Sequence, residues 1–319
     1  MSLLGALPID RALLGSSITI VLGVTRLSVV LPGPHLGGDW STDLLPNWLF
    51  PAGAAEVADA SPLVDQQDPG WGAVVGPTTP IAWVKRVHVR MNDDALDPPK
   101  EGRTTPDAPE GILGQLDAWR SNLLLWAEVV SRFPCRHRRP GGFLNSIPFW
   151  TETGPVVGPH FGSPVSIVPV DGDLITATEW AAITQAAVVG PPPITWRMVA
   201  DARAFLAAND LRRAVIDAGV AIDVALSDAL AQRFHDDAGP FESLLSHRIL
   251  NQGLGTLIEA FQRTGGQFWR QDEMNTLKRA RNAAAHDGEA PSREDAATSV
   301  RLAHDVVSEL DPLLPHLQA

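Results

Sequence analysis

The feature that most constrains this chain is the run Gly190-Pro191-Pro192-Pro193. Proline fixes φ, donates no backbone hydrogen bond and pushes the residue before it out of helical geometry, so a triplet ends any helix or central strand that reaches it. The residues on either side also differ in kind. Before the run, proline and glycine are frequent, eight of the ten tryptophans occur between Trp40 and Trp180, and β-branched stretches such as Ser17-Ile18-Thr19-Ile20-Val21-Leu22 recur. After it, alanine, leucine and charged residues follow one another at helical spacing. A chain of 319 residues, 45% of them hydrophobic, supplies two ordinary domains with cores. We therefore read residues 1–190 as one domain and 195–319 as another. The predicted fold class is α+β: a mixed α/β N-terminal domain followed by an all-α antiparallel bundle.

In the first domain, β-branched or alternating stretches bounded by Gly, Pro or Asp predict strands over roughly 17–31, 73–90 and 164–170. The apolar stretch Ala12 to Val30 reads as buried strand and not as an export or membrane segment. Arg26 and several small polar residues interrupt it, and no basic cluster precedes it. Leu113 to Phe133 places Leu116, Trp119, Leu123, Leu124, Trp126 and Val130 at spacings of three and four, which predicts a helix with one apolar stripe. A shorter helix is expected after Thr176, and the segments 33–70 and 91–112 read as long loops.

The second domain predicts five helices. The first runs from Trp196 to Ala207, and Asp210 stands where it would cap the next. That second helix, 211–234, carries Leu211, Val215, Ala218, Ile222, Leu226 and Leu230 and belongs in the core. A third spans Glu242 to Arg263, weakened by Gly253 and Gly255. The fourth runs from Asp272 to His286 and stops at Gly288, with Pro291 beyond it. The last, 293–310, is expected to bury Ala297, Val300, Ala303, Val307 and Leu310.

Composition narrows the functional classes. A formal charge of −12 argues against a protein that coats nucleic acid indiscriminately, because a dense basic surface supplies most non-specific affinity. Contact with RNA must then be local. Cys135 is the only cysteine, so no intramolecular disulfide and no Cys-based zinc site is available, and a reducing cytoplasm is the expected compartment. No HExxH, Walker A loop or GxSxG elbow is present, which leaves protease, NTPase and α/β-hydrolase readings without support.

The stretch that carries chemistry is Leu277-Lys278-Arg279-Ala280-Arg281-Asn282-Ala283-Ala284-Ala285-His286-Asp287-Gly288. Cleavage of RNA by its own 2′-hydroxyl needs a base to remove that proton, a cation to stabilise the developing charge on phosphorus, and an acid for the leaving oxygen. Histidine is the side chain that ordinarily titrates near neutral pH, so His286 suits base or acid. Arg281 offers a fork of donors matched to phosphate oxygens. Asn282 suits holding the phosphate or orienting the imidazole. Asn282 and His286 are four apart and share a face of an ideal helix, whereas Arg281 lies about 100° from Asn282. A regular helix therefore aligns the three poorly. Lys278, Arg279 and Arg270 surround them as a local basic patch for RNA on an acidic protein. The bland account is that a histidine near a helix C-terminus is favoured by the helix dipole alone.

These residues resemble the motif of the HEPN family (higher eukaryotes and prokaryotes nucleotide-binding): Arg, then a polar residue, then His after four to six intervening positions, on a bundle of four to five helices. The run from Ala214 to Asp223 is similar to the family's long second helix, where an acidic residue often follows an alanine-rich face. The resemblance covers about residues 195–315, and the first domain resembles no family. It implies a metal-independent endoribonuclease with catalytic Arg281, Asn282 and His286, no cofactor, and a homodimer that pairs two copies of the motif. An isolated monomer would then be inactive. Bacterial members commonly act in toxin–antitoxin or phage-defence systems, which implies an antitoxin or regulator as a further partner. The first domain would then select substrate or sense a trigger. The alternative is a non-catalytic HEPN module that binds nucleotide or a protein partner.

Gly15-Ser16 lacks the downstream Asp-x-Asp pair of a nucleotidyltransferase. Two further basic runs, Lys85 to Arg90 and Arg136 to Arg139, are candidates for phosphate contact, although the first alternates like a strand with one solvated face. His160 and the scattered tryptophans read as packing.

Overall fold

The computed structural model describes residues 2–34, 47–50, 72–74, 81–91, 111–135, 146–151, 154–159, 168–169, 173–238, 253–265 and 271–318. The chain divides into two compact units whose boundary falls inside the proline triplet, between Pro192 and Pro193.

The first unit combines antiparallel ladders with two helices, an α+β arrangement. Strands β1 (Ser2–Asp10), β2 (Ser17–Leu22), β3 (Thr25–Val30), β4 (Gly33–Pro34), β5 (Asn47–Phe50), β6 (Gly72–Val74), β7 (Ile81–Arg86) and β8 (His88–Met91) precede helix α1 (Ile112–Ser131). Strands β9 (Ser146–Thr151), β10 (Gly154–Pro159) and β11 (Val168–Pro169) and helix α2 (Ala177–Val189) follow. They form sheets ordered β1-β7-β6-β5-β4, β2-β3-β8 and β9-β10-β11.

Several strand expectations need correction. The stretch 17–31 is a hairpin and not one strand: Leu22 pairs with Thr25 across a two-residue turn, and Gly23 supplies the positive φ of 60° that the turn requires. The stretch 73–90 is three strands in two sheets, broken at the buried Val87. Of 164–170 only Val168–Pro169 is a described strand. Strand β1 has no expectation behind it; it contains Gly5 and Pro8, and a register shift between Ser2 and Leu7 interrupts its pairing with β7. Within the stretches read as loops, β4, β5 and Met91 of β8 form strand instead.

Helices α1 and α2 are stapled by side chains. The indole of Trp119 donates to the Thr184 carbonyl at 3.1 Å and that of Trp126 to the Gly190 carbonyl at 2.9 Å. Both rings are buried, and their N–H groups are satisfied as buried indoles require. Thr176 and Glu179 form a reciprocal capping box at the start of α2.

The second unit is a helical bundle: α3 (Ile194–Ala207), α4 (Leu211–Ala238), α5 (Leu254–Arg263), α6 (Gln271–Asn282), α7 (Arg293–Leu310) and the short α8 (Leu313–Gln318). Helix α4 is its axis and packs against α3, α5, α6 and α7. Val215, Ala218, Ile222, Leu226 and Leu230 are essentially inaccessible, and Ala214, Ala221 and Ala225 between them let neighbouring helices approach closely. Asp210 accepts from the Arg213 amide at the start of α4, at a long 3.4 Å.

Two expectations shift here. The third helix begins at Leu254, with Gly253 as its N-cap, so the glycines read as weakening a helix interior stand at its start; residues 242–252 lie outside the described ones. In α7 the buried residues are Ala296, Ser299, Val300, Leu302, Ala303, Val306 and Val307, while Ala297 is exposed and Leu310 is only partly covered. A rotation of one residue puts the polar Ser299 inside, where its hydroxyl donates to the Asp295 carbonyl at 2.7 Å.

Candidate functional site

Helix α6 does not continue regularly to His286. It ends at Asn282 and passes into a π-helical turn, Ala283–Asp287. Gly288 closes it in the left-handed region at φ 72°, and the amides of Gly288 and Glu289 both donate to the Ala283 carbonyl. The wider turn is held from α4, where Arg212 Nε donates to the Ala284 carbonyl at 2.6 Å. Bonding from i to i+5 brings residues five apart towards one face, and Arg281 and His286 are five apart.

The consequence is one open pocket of about 480 Å³ lined by Lys278, Arg281, Asn282, Ala285 and His286 on one side. The opposite wall is Gly253 to Thr256, the start of α5. The poor alignment expected of a regular helix is therefore not what the chain adopts, and a single copy gathers Arg281, Asn282 and His286. Asn282 and His286 are exposed to solvent, and Arg281 is about one quarter exposed.

Arg281 is positioned from α4. Its NH2 nitrogen lies 2.5 Å from an Asp223 carboxylate oxygen. Its stem crosses α4 at Gly219, one turn earlier, where an added Cβ would lie 2.6 Å from the arginine Cδ. No side chain larger than hydrogen fits there without displacing it. Burial raises the Asp223 carboxyl above the ordinary carboxylate range, and the Arg281 charge and hydrogen bond pull it back only in part.

Lys278 reaches across the pocket to the first turn of α5. Its ammonium would stand 3.1 Å from a Cβ at Gly255. That turn has no side-chain cap, because Gly253 is its N-cap, and the first amides of any helix lack intrahelical acceptors. Two cations and a helix N-terminus facing one cavity make it attractive to an anion.

The remaining candidates separate. Arg279 lies one residue round the helix and pairs loosely with Asp295 on α7, at 3.9 Å, so it does not line the pocket. Arg270, Arg136 to Arg139 and His160 lie outside the described residues, as do the side chains of Lys85, Arg86 and Arg90. Among the described residues no group of three or more His, Cys, Asp or Glu side chains converges as a metal site would need. Gly219 and the Gly253–Thr256 wall were not singled out as site residues, although a glycine inside the buried face of the most regular helix signals a close approach.

No family model, curated protein or solved structure matches this chain.

Proposed function

We propose that the C-terminal unit is a metal-independent endoribonuclease of HEPN type. The observation that carries the reading is the pocket in which Arg281, Asn282 and His286 meet, with Lys278 beside them. In this reading the pocket holds a phosphodiester. An imidazole takes the 2′-hydroxyl proton, the 2′-oxygen bonds to phosphorus, and the bond to the 5′-oxygen breaks as that oxygen is protonated. Arg281 faces the oxygens that gain charge. The products are a 2′,3′-cyclic phosphate and a 5′-hydroxyl.

Two proton transfers are needed, and the pocket holds one imidazole. This supports a homodimer in which a second His286 serves as the partner acid or base. A toxin or phage-defence role, with an antitoxin or regulator as partner, follows from the resemblance alone.

Incubating the full chain with mixed-sequence RNA in EDTA should release fragments ending in 2′,3′-cyclic phosphate. If His286→Ala and Arg281→Ala cut as well as the parent, the assignment is wrong. The pocket's volume, which lies in the range of small-ligand sites, supports a second reading: a non-catalytic module that binds nucleotide. In that case nucleotides raise the melting temperature while RNA stays intact.

A further inference from the structure

We infer that Asp223 is a positioning residue: from the core helix α4 it fixes the Arg281 guanidinium at the pocket, and residue 219 is glycine because the arginine's stem crosses α4 there. The inference deepens the ribonuclease reading and rests on it only for what Arg281 does once placed.

Three observations carry it. The pair is close, 2.5 Å, and both side chains are mostly withdrawn from solvent, at 24% and 22% exposure. Water and salt therefore compete poorly for either charge. Gly219 and Asp223 are four residues apart, which stacks them on one face of α4. Together they form a track, a gap for the Arg281 stem followed by an anchor for its head.

The bonding of the carboxylate is also lopsided. Its other oxygen, Oδ1, is buried without a hydrogen-bond partner. A carboxylate kept for stability would have its lone pairs satisfied, and an apolar pair of similar size would stabilise the fold at least as well. Alanine at 219 would likewise favour the helix. Both positions thus depart from what stability alone selects, and both departures converge on Arg281.

One end of the guanidinium is held by Asp223, and its further N–H donors stay available to a phosphoryl oxygen. A cation already in place when substrate arrives needs no reorganisation as charge develops, so its fixing acts on turnover more than on binding.

The test compares the full-length parent with Asp223→Asn and Gly219→Ala. The first removes the anchor and the second blocks the gap while leaving the anchor intact. Three measurements are made: the Arg281 Nε–H resonance in 15N-arginine-labelled protein, assigned by its loss in Arg281→Lys; cleavage of a labelled single-stranded RNA in EDTA; and melting temperature. In both variants the Arg281 resonance should broaden or vanish, and kcat should fall by about ten- to a hundredfold while KM stays within about twofold. The melting temperature should hold or rise. An Arg281 resonance unchanged in Asp223→Asn overturns the inference, as does a fall in melting temperature with kcat intact. If the parent cuts no RNA but the resonance still collapses in both variants, the ribonuclease reading fails and the positioning stands. If the parent cuts and both variants cut equally well, the reading stands and the positioning fails.

Discussion

Two aspartates in the helical bundle are almost equally withdrawn from solvent and are used in opposite ways. Asp311, at 25% exposure, caps the end of α7 and is saturated. It accepts the Thr195 hydroxyl at 2.6 Å and faces His316 Nε2 at 2.5 Å, while its backbone carbonyl takes the Trp196 indole N–H at 2.8 Å. Asp223, at 22%, has one oxygen on Arg281 and the other on nothing. What separates them is therefore saturation and not depth. A fully bonded carboxylate ties α3, α7 and α8 together, whereas a half-bonded one stands behind a pocket. The comparison predicts that the contacts of Asp311 govern stability and those of Asp223 chemistry.

The largest effects should fall at the pocket and be invisible to stability. Because His286 is exposed, His286→Ala should leave the unfolding free energy within about 0.5 kcal/mol of the parent. Loss of a positioned proton-transfer group should lower RNA cleavage on the order of 10²- to 10⁴-fold. Cleavage rates and urea unfolding of the same preparation check both halves. A variant that unfolds easily, or that cuts normally, breaks the contrast from this side.

The opposite pattern is expected at Asp311. Asp311→Ala strips acceptors from Thr195 and His316, so it should destabilise the bundle by about 2 kcal/mol, read as a lower urea midpoint with an unchanged slope. Cleavage per folded molecule should not change. If this variant lost activity while still folded, the two sites would be coupled and the division of labour would fall.

How much of this was legible in the residues follows from what each element depends on. Helix α4 could be read because a three-and-four repeat of apolar side chains over twenty-odd positions has only one helical interpretation. The hairpin β2–β3 could be mistaken for one strand, since the only mark of its turn is Gly23 inside a β-branched run. Strands β1, β9 and β10 carry prolines, so local pattern argues against them; β1 is made by pairing with the distant β7, whereas β9 and β10 pair with each other as a local hairpin. In the pocket, the residue types of Arg281, Asn282 and His286 were readable but their convergence was not. A π turn held by Arg212 on another helix sets it, and no local propensity announces such a turn. Asp223 was visible as an acidic residue; its pairing needed the packing of α4 on α6.

A smaller effect should separate the pocket's two cations. Arg281 is already offset by Asp223, whereas Lys278 has no carboxylate partner among the described residues. Lys278 should therefore supply ground-state attraction for RNA and Arg281 should act mainly in turnover. In a His286→Ala background, Lys278→Ala should weaken RNA binding about fivefold and reduce the slope of log affinity against log salt by about one. A slope unchanged by Lys278→Ala would place the phosphate contact elsewhere.

The smallest effect is the pH dependence of stability, and its sign sharpens the contrast between the aspartates. Burial raises Asp223, and burial together with the negative charge of Asp311 raises Asp228. A carboxyl that binds its proton more tightly folded than unfolded adds stability that is complete below its ordinary value of 3.8 and is lost as pH rises through the raised one. Above that window the Asp223 charge is thus a liability for the fold, which Asp223→Asn removes. The variant should melt at or above the parent's temperature near neutrality, and the gap should close as pH falls through the window between the raised and ordinary values. Melting curves of parent and variant across mildly acidic pH decide it. A gap that opens on acidification would mean that Asp223 is held ionised by Arg281 and acts as a structural ion pair, which would put it in the same class as Asp311.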